Sequence, residues 1–208
     1  MNIQAERTGV PHKKTLALFD FDGTLTFRDS FLDFLLFTCG KLRCIAGFAF
    51  LLPVMAGYKT KIISNQSAKE IVYQHFLKGW EEKRFMEYCR AYARERLPEI
   101  LSPPAWNKME WHLQNKHTVV IVSASLEEYL QPWAEQFDIQ VIGSRLKFKD
   151  GCFTGKLDGL NCYGPEKVRR IRTELHPEQF QEVYAYGDSE GDREMLQLSD
   201  HPFYRRYD

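Results

Sequence analysis

Cysteine is scarce and its pattern leads nowhere. The 208 residues contain five, Cys39, Cys44, Cys89, Cys152 and Cys162, an odd number with no CxxC pair. A zinc site or a disulfide framework is therefore not expected, and a reducing compartment, the cytoplasm, fits better. An excess of one charge is missing too. Twenty-eight Lys and Arg balance 28 Asp and Glu, so no overall field favours nucleic acid or an acidic surface. The first 14 residues, MNIQAERTGVPHKK, lack the apolar core of a signal peptide and read as a loose lead-in. There is no internal repeat and no low-complexity tract.

What is present supports a packed core. The chain is 44% hydrophobic and 27% charged, as in a globular protein of one domain, or of one domain with an insert. Short apolar runs over 16–19, 118–122, 139–143 and 182–187 read as buried parallel strands. Helical patterns over 104–116, 126–137 and 166–175 lie between them. That alternation predicts an α/β fold, a Rossmann-like parallel sheet flanked by helices. The segment RLKFKDGCFTGKL reads as a β-hairpin turning at Asp150-Gly151. Strand signals vanish over 29–101, which reads as helices over 29–38, 42–55, 64–77 and 81–96. A helical insert of this size after the first strand predicts a cap over 29–101, with 1–28 and 102–208 forming the catalytic core. The terminal HPFYRRYD reads as a last short strand and a basic tail.

Residues 31–58, FLDFLLFTCGKLRCIAGFAFLLPVMAGY, are unusually apolar. Lys41 and Arg43 split the run, and Pro53 interrupts its second half. Neither piece reaches the roughly 20 residues needed to span a bilayer. Buried cap helices, a hairpin at the membrane interface and a spanning helix are the three readings.

The chemistry starts in LALFDFDGTL. Asp20 and Asp22 end a buried strand, and side chains two apart share a face. Two carboxylates so close repel unless one takes a proton or a cation sits between them, so the pair is an acid/base couple or a metal site. YAYGDSEGDREML places Asp188 and Asp192 after another strand. Hard oxygen ligands beyond parallel strands suit Mg²⁺ together with a phosphate. Asp20 would then be the nucleophile. Ser123 ends VIVSAS's apolar run. Its hydroxyl and the adjacent backbone N–H of Ala124 offer donors to phosphoryl oxygens. Lys167, in the first turn of a helix in GPEKVRRI, runs against the helix dipole and asks for an anion. Taken singly, each of these is as well explained by turns, caps or solvated charges. Their order, each after a strand, is what carries weight.

DFDGTLT, VIVSAS, the lysine of GPEKVRRI and YGDSEGD resemble the four motifs of the haloacid dehalogenase superfamily of phosphohydrolases, over residues 14 to 201. The insert resembles the C1 cap of its phosphoserine-phosphatase-like branch, subfamily IB, and 143–168 resembles that branch's approach to the third motif. The resemblance implies that Asp20 becomes an aspartyl-phosphate and that Asp22 is general acid and then base. It implies a Mg²⁺ cofactor held by Asp20, the backbone carbonyl of Asp22, and Asp188, with Asp192 a ligand or a supporting partner. Ser123, Ala124 and Lys167 would hold the phosphoryl group. Dehalogenation is disfavoured, since that branch lacks the second acid.

Substrate choice is less legible. Asp29 falls where the phosphoserine-phosphatase pattern has an acid for the substrate amino group, or it simply caps the next helix. Arg43, Lys59 and Lys61 are candidate anion contacts in the insert. The greasy 31–58 stretch is more similar to the lipid-directed members of the branch, such as phosphatidylglycerophosphatase C. The favoured expectation is a phosphomonoesterase for a lipid phosphate such as phosphatidylglycerophosphate, touching the inner face of the membrane through 31–58. The alternatives are a soluble phosphatase of a small metabolite such as phosphoserine, and a catalytically inactive binding protein of the same fold. Transfer of the phosphoryl group to an alcohol is also open.

Overall fold

Strand β1, Thr15–Phe19, is buried along its whole length. The computed structural model describes residues 14–207, so the lead-in expected before Lys14 lies outside the described residues. β1 pairs in parallel with β2 (Thr118–Leu126) on one side and β6 (Glu182–Gly187) on the other. β3 (Gln140–Ser144) extends the sheet beyond β2 and β7 (His201–Tyr204) beyond β6. The order is β3-β2-β1-β6-β7, all parallel. The expected α/β fold with a parallel sheet is therefore present, and the tail adds its edge strand.

Helices cover both faces, which is why β1 is apolar from Leu16 to Phe19 instead of alternating. Leu16 and Leu18 enter a core with Val120, Val122, Ile171 and Met195. Ala17 and Phe19 enter a larger core with Ile121, Leu130 and Trp133. That larger core continues without a break into Phe34, Tyr73, Phe76, Phe85 and Tyr92 of the segment between β1 and β2.

That segment holds α1 (Ser30–Cys39), α2 (Lys41–Phe50), α3 (Leu52–Lys59), α4 (Asn65–Leu77) and α5 (Glu82–Glu95), then α6 (Pro103–Gln114) beside β2. Asp29 caps α1 and Ser64 caps α4. The helix expected over 42–55 is two helices. The chain breaks at Leu51, Pro53 sits in the first turn of α3, and the axes turn by 57°. Proline tolerates a first turn and not a helix interior, so the break falls where its missing N–H costs nothing. Among the described residues no single helix is long and apolar enough to cross a membrane.

β2 runs to Leu126, beyond the expected 122, with a register irregularity between Val122 and Leu126. α7 (Glu127–Ala134) follows, and its expected end over 135–137 is a 3-10 turn. The antiparallel hairpin of β4 (Leu146–Lys149) and β5 (Cys152–Leu157) turns at Asp150-Gly151 as the sequence predicts. α8 (Pro165–Leu175) and α9 (Arg193–Leu198) complete the chain.

Candidate active site

Register alone brings the candidate residues together. Phe19 pairs with Ile121 on one side and Tyr186 on the other. Asp20 therefore leaves the sheet beside Ser123 and Asp188, each two residues past those partners. The Asp20 N–H donates to Tyr186 O at 2.9 Å, which holds the end of β1 against β6. The chain then folds back in a tight turn: Thr24 N and Thr26 N both donate to Phe21 O. Gly23 sits at φ +79° in that turn, and a Cβ there would meet Asp188 Oδ2 at 2.4 Å. Only glycine lets the two loops approach so closely.

Lys167 arrives from the first turn of α8. The Gly164 N–H donates to Gly191 O at 3.0 Å, tying the start of α8 to the loop that carries Asp188 and Asp192. The Lys167 ammonium, 1% exposed, donates to Asp20 Oδ1 at 2.5 Å and Asp192 Oδ1 at 2.6 Å. Burial works against that charge, but the two carboxylates outweigh it and hold the ammonium above its ordinary pKa. Asp192 carries further bonds. Its Oδ2 accepts from Asp188 N, Ser189 N and Ser189 Oγ at 3.2, 3.0 and 2.7 Å. Burial would raise its pKa, yet Lys167 and Ser189 bring it below the usual carboxylate range.

Asp20, Asp188 and Asp192 can each turn one oxygen to within 4.8 Å of the others. Burial raises Asp20 to about 7 against the pull of Lys167. Burial, then Asp192, raises Asp188. Asp188 Oδ1 is buried and has no hydrogen-bond partner. An orphaned anionic oxygen facing two more carboxylates is costly without a cation, and hard oxygen donors suit a divalent ion of the Mg²⁺ kind.

Asp22 stands apart by its side chain. Its Oδ1 accepts from Ser30 N at 2.7 Å, and its Oδ2 accepts a close hydrogen bond from Ser125 Oγ. Ser30 Oγ in turn meets Ser125 Oγ at 3.2 Å and Tyr129 Oη at 2.9 Å. Burial and the Asp29 charge raise the Asp22 pKa, while Ser125 and Ser30 oppose the rise. The acid is therefore held in one orientation by a backbone N–H on Oδ1 and a hydroxyl on Oδ2, and only the hydroxyl can accept as well as donate. Ser123 is 1% exposed, and its Oγ accepts from Ser125 N at 3.0 Å. That leaves its proton to donate elsewhere. Asp29, by contrast, accepts from Leu32 N at 2.7 Å as the cap of α1, the plainer of its two expected roles. Arg43 donates to Phe76 O at 3.3 Å. Lys59 and Lys61 are exposed.

Three contributors escape the sequence reading. Ser125 shares VIVSAS with Ser123, and its spacing of two was an available signal. Ser30 directly follows the capping Asp29 and gives no separate cue. Lys69, in α4, reaches the irregular end of β2 and donates to Ala124 O at 2.8 Å and Asn161 Oδ1 at 3.3 Å. No motif surrounds it.

Comparisons with known proteins agree with this geometry. The profile described as haloacid dehalogenase-like hydrolase matches residues 17–197. Protein CicA of Caulobacter vibrioides is 36% identical over 196 residues, 93% of this chain and 87% of that one. A probable phosphatase of Mycobacterium tuberculosis is 29% identical over 212 residues, 92% of this chain and 68% of that one. The solved structure of a phospho-aspartyl intermediate analogue of phosphoserine phosphatase superposes with a TM-score of 0.64 at 17% identity, covering 90% of this chain and 84% of that one. At that identity the likeness is one of fold.

Proposed function

The chain belongs to the haloacid dehalogenase-like hydrolase family and is a phosphatase, and we propose that it hydrolyses phosphomonoesters through an aspartyl-phosphate on Asp20, with Mg²⁺ as cofactor. The orphaned Asp188 Oδ1 among Asp20 and Asp192 carries the reading. Asp20 and Asp188 would hold the ion with the Asp22 carbonyl, and Asp192 supports them by fixing Lys167 and the backbone of 188–189. When bound, the ion lowers the repulsion between the Asp20 carboxylate and an incoming phosphate.

Asp20 attacks phosphorus with one carboxylate oxygen, and the bond from phosphorus to the alcohol oxygen breaks. Protonated Asp22 gives its proton to that departing oxygen. Ionised Asp22 then takes a proton from water, whose oxygen attacks phosphorus and releases inorganic phosphate and free Asp20. Ser123, the Ala124 N–H and Lys167 hold the phosphoryl oxygens as charge spreads over them. Asp20, Ser123, Lys167 and Asp192 are at most 6% exposed. Substrate therefore enters when the helices of 29–101, acting as a cap of the subfamily IB kind on the core of 1–28 and 102–208, move off the rim. Ser30 and Lys69 bring that cap against it, through Asp22 and Ala124 O.

The preferred substrate in this reading is a lipid phosphate, of the type cleaved by phosphatidylglycerophosphatase C. Leu42, Ile45, Phe50, Leu52 and Ile62 are between 58% and 85% exposed, and α3 buries none of its residues. No acid occurs between Asp33 and Glu70, whereas Lys41, Arg43, Lys59, Lys61 and Lys69 do. An apolar face with a basic rim suits an anionic bilayer surface. The test is phosphate release from phosphatidylglycerophosphate micelles, phosphoserine and p-nitrophenyl phosphate with and without Mg²⁺, using D20N as control. Turnover that needs both Mg²⁺ and Asp20 is expected, with the lipid preferred. Preference for phosphoserine removes the lipid assignment, and D20N at wild-type rate removes the mechanism. Sedimentation with vesicles of anionic lipid should retain the wild type and lose a variant with L42S, I45S and F50S.

A further inference from the structure

The residues after β7 reach back over the rim of the sheet. β7 ends with Tyr204 beside Gly187, the last residue of β6. Arg205 then turns the chain in the left-handed region, at φ +55°, a conformation that costs any residue but glycine and persists only where contacts hold it. Here two bonds hold it. The Arg205 N–H donates to Gly187 O at 2.9 Å, and Arg205 Nε donates to Asp188 O at 2.8 Å. Two residues on, Tyr207 Oη donates to Thr24 O at 2.7 Å. The Tyr207 ring stacks beside Tyr186, with centroids 6.4 Å apart.

These bonds land on the two loops that carry the acids. Asp188 Oδ1 has no hydrogen-bond partner, so the backbone does most to set where that oxygen points. Asp192 Oδ2 accepts from the Asp188 N–H at 3.2 Å, and Arg205 takes the Asp188 carbonyl from the other end. On the facing loop Thr24 is buried, and its hydroxyl donates to Asp20 Oδ2 at 3.4 Å. Its carbonyl is the one that Tyr207 takes. One three-residue segment therefore staples the Asp188 loop to the Asp20 loop. Gly23 lets those loops approach, and the staple keeps them there. Mg²⁺ demands near-ideal octahedral geometry, so it is sensitive to that spacing.

We propose that Arg205 and Tyr207 are positioning residues for the metal: without touching it, they hold the Asp188 and Asp20 loops at the separation that Mg²⁺ requires. This inference rests on the Mg²⁺-dependent phosphatase reading above. The sign of the effect separates position from charge. Arg205 is an exposed cation beside the acids, so by charge alone its removal should tighten a metal cation slightly. As a staple, its removal should loosen it. Arg206 carries the same charge next door, but its guanidinium lies over the Phe203 ring, which makes it the control for charge.

The experiment is titration calorimetry of Mg²⁺, without substrate, into wild type, R205M, Y207F, R206M and D188N. A net hydrogen bond is worth about fivefold in an equilibrium constant. R205M and Y207F should each weaken Mg²⁺ by about that factor, and R206M should leave it unchanged. In hydrolysis of p-nitrophenyl phosphate, the Mg²⁺ concentration for half-maximal rate should rise by the same factor, while kcat at saturating Mg²⁺ holds. A segment that only packs the sheet edge would lower stability to urea and leave both Mg²⁺ readouts alone. Weakening of less than about threefold in either R205M or Y207F, tighter binding in R205M, or an equal loss in R206M overturns the inference. Y207F removes one oxygen and keeps the ring on Tyr186, so it decides alone if R205M does not fold. A wild type that binds no Mg²⁺, or D188N that binds it as wild type does, instead overturns the metal reading, and the inference with it.

Discussion

Replacing Asp192 by asparagine keeps the shape of the side chain and exposes what its charge does. The carboxylate is 1% exposed and accepts four hydrogen bonds. Oδ1 takes the Lys167 ammonium, and Oδ2 takes two backbone N–H groups and the Ser189 hydroxyl. An asparagine has one acceptor oxygen and one donor NH₂. If the NH₂ faces Lys167, it meets a cation. If it faces the loop, it meets the N–H groups of residues 188 and 189; Ser189 can rotate its hydroxyl, but the two amides cannot turn. Either orientation leaves a buried donor against a donor and removes half the charge that stabilises Lys167. Breaking one side of a buried ion pair costs about 3–5 kcal/mol, a large share of a domain's roughly 5–15 kcal/mol. Urea unfolding followed by tryptophan fluorescence should show that loss, and Mg²⁺-dependent hydrolysis of p-nitrophenyl phosphate should fall at least a hundredfold in kcat, since Lys167 is no longer held between its partners. A stability change below about 1 kcal/mol together with an unchanged kcat would refute the role given to Asp192.

Two further outcomes follow from the same geometry. G23A places a methyl at φ +79°, 2.4 Å from Asp188 Oδ2; it should lower stability by about 1–2 kcal/mol and weaken Mg²⁺ at least tenfold, read by titration calorimetry without substrate. His112 is fully buried, its two ring nitrogens meet His117 Nδ1 at 2.7 Å and Tyr186 Oη at 2.9 Å, and burial, then His117, lowers its pKa to about 3. The unfolded chain binds that proton near pH 6.5 and the native one does not, so between those values stability falls as pH falls, by about 1.4 kcal/mol per unit from this group; H112F should flatten that slope in urea titrations at pH 4 to 7, and an unchanged slope would contradict the assignment.

Much of this was open to reading from the residues, because parallel strands carry a plain signature. Both faces of β1 and β2 are covered, so Leu16–Phe19 and Val119–Val122 are continuous apolar runs. Since parallel register aligns strand ends, acids written just past those runs had to share a rim. Asp20, Asp188, Asp192 and Lys167 accordingly meet, and the register sets Ser123 at the same edge. The break at Leu51 was hidden because Pro53 reads equally well as a kink and as a first turn. Lys69 and Ser30 were hidden because they reach the rim from the insert, whose seat on the sheet depends on the packing of Phe34, Tyr73 and Tyr92 and on no local pattern. Asp29 carried two meanings, and the bond to Leu32 N realises the local one.

The bend between α2 and α3 would limit how deep the proposed membrane-seated form could go. At 1.5 Å per residue the two helices are about 15 and 12 Å long, and the hydrocarbon slab of a bilayer is about 30 Å thick. Turned by 57° at Leu51, they cannot add their lengths into one rod. In the membrane-seated form proposed above, the bent pair would reach roughly 24 Å end to end, entering the slab without crossing it and leaving the site among the head groups of the leaflet it entered, while those on the far side wait for flip-flop to deliver them.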